Sequence, residues 1–319
     1  MAYRYGRRTA RSGCLKGTIS GCSSLLFFFL LIIVLISSID FPELDFEFGK
    51  TERADYQIDM DSLTNERIIN ASYSWKFVSS NLSRKKYDLT FKLLASEVKK
   101  AMDLIDRIGS MSLEELGLNP RYNYDDPYIQ AQYVWAKIYR IVYEKSFPQL
   151  KTISEGFNQV FKNDNISGKD RALFLISFIQ NMKYDRPGGN LDLFAPIGTL
   201  AKKFGDCDTK AILLYALLER IGIDCAMMWS PKYKHAVLGV NVSARGDYKN
   251  ANGKKYYFLE TTYPGWAIGD LPPEFKNKRF WIIDEIDTKE KITSNKEEKI
   301  KNEWDERPNR KTTPKPAIL

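Results

Sequence analysis

Two kinds of hydrophobic spacing divide this chain. Ile69, Ala71, Tyr73, Trp75 and Phe77 alternate with polar positions, and after a turn-rich break at Ser79–Arg84 so do Tyr87, Leu89 and Phe91. Period two over such lengths predicts a β-hairpin. From Ala95 to about Lys162 the spacing is helical, with Val98, Met102, Ile105 and Ile108 on one face. A second helix is predicted near Pro127–Lys145, striped by Tyr133, Val134, Ile138 and Val142. Ser167, with Asp170 three residues on, predicts the capped start of another helix, whose apolar side holds Leu173, Ile176, Phe178 and Ile179.

A third pattern is continuous. Leu25 to Ile36 is apolar without a break, and no charge falls between Gly17 and Ile39. As a helix that window spans roughly 34 Å, enough for a hydrocarbon core of about 30 Å. Arg4, Arg7, Arg8, Arg11 and Lys16 precede it and Asp40 follows. The positive-inside rule then keeps residues 1–16 cytoplasmic and places the rest outside. A cleaved signal peptide also fits a basic segment followed by an apolar run. However, the residues after the run, Ser37-Ser38-Ile39-Asp40-Phe41-Pro42, offer no small-x-small cleavage site. The expectation is an uncleaved, single-pass signal anchor over 17–39.

Charge narrows the function classes. The net charge is +8, but the excess sits in residues 1–39 and 289–319, so the stretch 40–288 is neutral. A nucleic-acid groove needs Lys and Arg gathered on the folded part, and nucleic acid is therefore not an expected partner. At 44% hydrophobic residues the chain can bury a core. With one histidine and four cysteines, two of them (Cys14 and Cys22) in the N-terminal segment, neither a multi-histidine metal site nor structural zinc is expected. Residues 41–68 read as a polar juxtamembrane spacer, and the tail from Lys289, ending in Pro308, Pro314 and Pro316, as disordered.

The chemistry gathers between 200 and 270. Phe204-Gly205-Asp206-Cys207-Asp208-Thr209-Lys210 opens a helix with Ala211, Leu214, Leu217, Leu218 and Ile221 on one side and Gly222 as its stop. Cys207 thus stands at a helix N-terminus, where unpaired N–H groups and the macrodipole favour a thiolate and can donate to an oxyanion. Asp206 and Asp208 suit the dipole but oppose ionisation of a neighbouring thiol, so their net effect is open. Cys225 falls mid-strand in Asp224–Trp229 and reads as core packing. His235 opens a strand with Ala236, Leu238, Val240 and Val242 on one face. Asn252-Gly253 signals a hairpin, and the returning strand, Lys255–Thr261, carries Glu260. Thiol, imidazole and carboxylate in this order supply the roles of nucleophilic cysteine catalysis.

Gly205-Asp206-Cys207, His235-Ala236 and Leu259-Glu260-Thr261-Thr262 resemble the three elements of the transglutaminase-like superfamily, in its bacterial membrane-anchored type. The resemblance covers about residues 166–271 and departs at Glu260, where the family usually has Asp. It implies an α+β fold with a papain-like core: a cysteine on a helix N-terminus packed on an antiparallel sheet that carries histidine and acid. Before that core would come the transmembrane helix and, over 40–160, the hairpin and helical region; the core itself would occupy 161–288 and the tail 289–319. The implied site is a Cys207–His235–Glu260 triad, with Gln180 and Tyr184 as candidate oxyanion donors and no cofactor or metal. The implied activity is attack on amide or peptide bonds of a protein or peptide substrate through a thioacyl intermediate, with hydrolysis favoured over cross-linking. Two alternatives stay open: a catalytically silent interaction module of the cell envelope, or a structural protein whose residues 40–160 bind a partner.

Overall fold

The computed structural model describes residues 52–59, 66–121, 126 and 129–286, all within the compact unit Thr51–Leu319. The expected span at 17–39, the cytoplasmic segment before it and the tail at 289–319 lie outside the described residues. Among the described residues no helix is long and apolar enough to cross a membrane. What is described is a mixed α+β structure.

Alternation builds the first sheet. Strands β1 (Glu52–Asp59), β2 (Ile68–Val78) and β3 (Arg84–Leu94) lie in the order β1-β3-β2. β2 and β3 form the expected hairpin, with Trp75 opposite Tyr87. β1 falls within the stretch read as a spacer and pairs parallel with β3 from Glu52–Lys85 to Asp59–Lys92. Only Ile58 of this strand is fully buried, so its pattern carries little hydrophobic signal and pairing decides its place. Gly156 makes room for it: a Cβ there would come within 2.7 Å of Ile58 Cγ1.

The apolar face of this sheet is aromatic. Trp75, Phe77 and Tyr87 meet Phe174 edge-on at 5.2, 5.2 and 4.8 Å. Burying each such ring contributes about 1.5–3 kcal/mol. Helices α1 (Ala95–Gly109), α3 (Lys151–Asn163) and α4 (Lys169–Asn181) pack on this sheet, and α2 (Ala136–Ser146) packs against α1. Two helix expectations are corrected. The segment before α2, Gln130–Trp135, is π-helical. Its i→i+5 bonds turn each residue by less than an α-helix does, so the stripe slips: Tyr133 is half exposed and Tyr139 is buried instead. The N-cap of α4 is Gly168 at φ 52°, not Ser167, and Asp170 accepts from the N–H and hydroxyl of Ser80 in the β2–β3 turn.

After the two-residue strand β4 (Lys183–Tyr184) come α5 (Pro196–Lys202), β5 (Phe204–Gly205) and α6 (Cys207–Arg220). Strands β6 (Cys225–Ser230), β7 (His235–Val240), β8 (Tyr248–Ala251), β9 (Lys254–Leu259) and β10 (Ile282–Asp284) form an antiparallel sheet in the order β10-β6-β7-β9-β8. Asn252 and Gly253, at φ 46° and 79°, make the expected two-residue turn between β8 and β9. Both faces of this sheet are covered. Ala236, Leu238 and Val240 pack into the main core with α6, while Met228, Val237, Tyr256, Phe258 and Trp281 form a second cluster on the other side. Every residue of α6 from Thr209 to Leu218 is buried, so this helix is the centre of the structure.

Candidate active site

The start of α6 is held by three local devices. β4 and β5 pair in parallel, setting Tyr184 beside Gly205. Gly205 lets the chain pass close over the helix, since a Cβ there would reach 2.6 Å from Thr209 Cγ2. Asp206 caps the helix by accepting from the Thr209 N–H at 3.3 Å. Cys207 is then the first helical residue and is half-buried, Cys225 is buried, and neither is in a disulfide.

Burial pushes the Cys207 thiol up, and the charges of Asp208 and Asp206 push it further. Backbone hydrogen bonds from Ala236 and Asp208 act the other way without overcoming this. Beside this sulfur the two aspartates act more strongly than those two backbone hydrogen bonds. Asp208 is itself raised well above the carboxylate range, by burial and by Asp206, and the Tyr139 hydroxyl donates to it at 3.2 Å.

His235 begins β7, directly after Lys234 in the left-handed region at φ 49°. Glu260 follows the last residue of β9, and continuing the β7–β9 register sets it opposite Val237, diagonal to His235 on the same face. The His235 Nε2–Glu260 Oε2 distance is 2.7 Å. Glu260 is 2% exposed, and its second oxygen accepts from the N–H groups of Thr261 and Thr262, each at 2.9 Å, and from Thr262 Oγ1 at 2.6 Å. Burial would raise this carboxyl, but His235 and Thr262 outweigh it and hold it below the usual range. Because a carboxylate only accepts, Nε2 is the donor in this bond. The imidazole stacks on Phe275 at 4.9 Å and meets Trp281 edge-on.

Cys207 and His235 line one cavity of about 330 Å³ with Trp135, Tyr139, Trp229 and Asp208. Trp229 is fixed there by its Nε1–H bond to the Ala131 carbonyl, 3.1 Å. Tyr184 is near the thiol: burial and then the charge of Cys207 push its hydroxyl up to about 12. Gln180, expected as an oxyanion donor, instead commits its amide hydrogens to the carbonyls of Glu260 and Trp266, at 2.8 and 2.9 Å. Ligand atoms of Asp206, Cys207 and Asp208 lie within 4.8 Å of one another, but the cap and the Tyr139 bond already use the two carboxylates.

Sequence reasoning missed Tyr139, Phe275 and Lys210. Tyr139 was hidden by the π-helical slip, and Phe275 ends a three-residue 3-10 turn, Pro273–Phe275, too short to give a periodic signal. Lys210 reads as an ordinary solvated cation, yet it is wholly buried. Comparison with family models, with curated proteins and with solved structures gives no match.

Proposed function

We propose that this chain is a transglutaminase-like cysteine enzyme with a papain-like core, acting on amide or peptide bonds. The observation that supports it most is the 2.7 Å His235–Glu260 pair opening on the cavity that Cys207 also lines. In this reading the thiol proton passes to His235 Nδ1 as Sγ bonds to the substrate carbonyl carbon. Glu260 holds the Nε2–H and stabilises the imidazolium. The oxyanion is met by the N–H groups at the start of α6, which have no intrahelical acceptor, with Tyr184 as the side-chain candidate. The C–N bond then breaks, the amine leaves with the proton from His235, and a thioester remains. Water attacks it, gives a proton to His235, and the returning proton restores the thiol. Exposed Arg186 and Lys234 at the cavity mouth put solvent beside the acyl group, which favours hydrolysis over cross-linking. Residues 17–39 would anchor the enzyme with the domain outside the cytoplasm.

Because the thiol is raised, ionisation depends on His235. Mapping iodoacetamide alkylation of Cys207 by mass spectrometry across pH tests this in the full chain. His235→Ala should slow alkylation at neutral pH at least about tenfold; equal rates would remove the base. The same raised thiol favours a second reading, a catalytically silent module of the cell envelope, which a panel of peptide amides without turnover would support. Protease added to intact spheroplasts should remove the domain and leave an N-terminal stub; full protection would sink the topology.

A further inference from the structure

Lys210 lies one turn into α6 and is 0% exposed. Its amine donates to the carbonyls of Met182 and Thr262, each at 2.8 Å, with Gln180 O at 3.5 Å. These are backbone oxygens from two different places. Gln180 and Met182 are at the C-terminal end of α4, where the last carbonyls lack helical partners. Thr262 belongs to the turn that wraps Glu260. For packing alone, a buried methionine would serve this centre of the fold with no desolvation penalty, as the leucines further along α6 do.

We infer that Lys210 is a positioning residue of the candidate site: its amine grips the Thr262 carbonyl from the helix that begins at Cys207, and so keeps the Glu260 carboxylate on His235. The chain of bonds is continuous. Lys210 Nζ donates to Thr262 O; Thr262 N and Oγ1 donate to Glu260 Oε1; Glu260 Oε2 holds His235 Nε2. Gln180 secures the Glu260 carbonyl in parallel, and Thr261 Oγ1 reaches the Cys207 carbonyl at 3.4 Å. Thiol, acid and base are thereby referred to one frame. Burial lowers the amine to about 7, against the pull of Glu260. Loss of the proton leaves two N–H groups, enough for the two 2.8 Å bonds, so the grip persists in either state.

This deepens the enzymatic reading and rests on it only for the reactivity arm of its test. His235 is the only histidine of the chain, so in full-length protein labelled with ¹⁵N-histidine its Nε2–H gives one assignable resonance. Wild type should show that proton downfield and slow to exchange; Glu260→Ala, which removes the acceptor, sets the reference for a lost bond. Lys210→Met should keep the melting temperature within a few degrees, lose the slow proton, and slow Cys207 alkylation about tenfold or more. A folded Lys210→Met with both signals intact overturns the inference. If that variant does not fold, Lys210→Gln, whose N–H falls one atom short, replaces it with the same expected losses. Failure of both to fold also overturns it, by making Lys210 a requirement of the whole fold. If even wild-type alkylation ignores His235, the enzymatic reading fails and the resonance alone judges Lys210.

Discussion

The Tyr139 hydroxyl donates to Asp208 Oδ2 across 3.2 Å, joining α2 to the residue that follows the thiol. Burial and the charge of Asp206 push the Asp208 carboxyl well above its usual range. Both acids oppose the Cys207 thiolate, Asp208 ahead of Asp206.

Asp206→Asn separates cap from charge. Asn caps a helix about as well as Asp, so the fold should stay, while one of the charges that raise the thiol goes. A carboxylate disfavours a neighbouring thiolate, so the midpoint of the alkylation–pH profile should move to lower pH. Asp208→Asn should move it in the same direction. An unchanged or higher midpoint in Asp206→Asn would contradict this account.

Glu260 accepts four hydrogen bonds, and a Gln there must turn its NH₂ toward a donor. Glu260→Gln should therefore misplace His235 and lower turnover by up to about 10⁴. Glu260→Asp keeps the charge on an arm one methylene shorter and should retain more activity. Near-normal rates in both variants would exclude Glu260 as the orienting acid.

The same carboxyl gives a pH dependence of stability. Its folded pKa is depressed, so its contribution is present above the unfolded value of about 4.3 and is lost as pH falls through the folded value. In urea titrations the advantage of wild type over Glu260→Gln should be constant above about pH 5 and shrink below about pH 4. An advantage that grows on acidification would reverse the sign.

Cys207 and Cys225 should respond oppositely. Cys207→Ala and Cys207→Ser should abolish turnover and leave the melting temperature near wild type, because the side chain faces a cavity. Cys225→Ala removes a 1%-exposed side chain from β6 and should cost on the order of 1 kcal/mol. Exchanged phenotypes would make Cys207 structural.

Lys210 carries a further sign. Its folded pKa, about 7, lies below the unfolded lysine value. The folded state then binds fewer protons, so the stability of wild type relative to Lys210→Met should rise with pH between about 7 and 10.5. Calorimetry at several pH values reads this directly, and a flat difference would show that the amine stays charged.

The three groups of the candidate site were legible because each is marked locally. Gly205-Asp206 announces a helix start, His235 begins an alternating run, and Asn252-Gly253 fixes the hairpin that returns Glu260 beside it. Hidden features were those without a local mark. β1 has one buried residue and takes its place from β3; Tyr139 depends on a change of helical winding; Phe275 comes from a short 3-10 turn to cover the imidazole.

By itself the sequence determined the order of thiol, imidazole and acid, and the elements that carry them, because capping, periodicity and turn chemistry act over a few residues. The tertiary structure alone decided what surrounds each group. Whether Asp206 and Asp208 help or hinder the thiol depends on how deeply the sulfur is buried, since removing water strengthens every charge–charge term. Whether Lys210 meets solvent or the Thr262 carbonyl depends on elements distant along the chain closing over α6. Charge and burial are sums over neighbours in space, and no local spacing rule contains them.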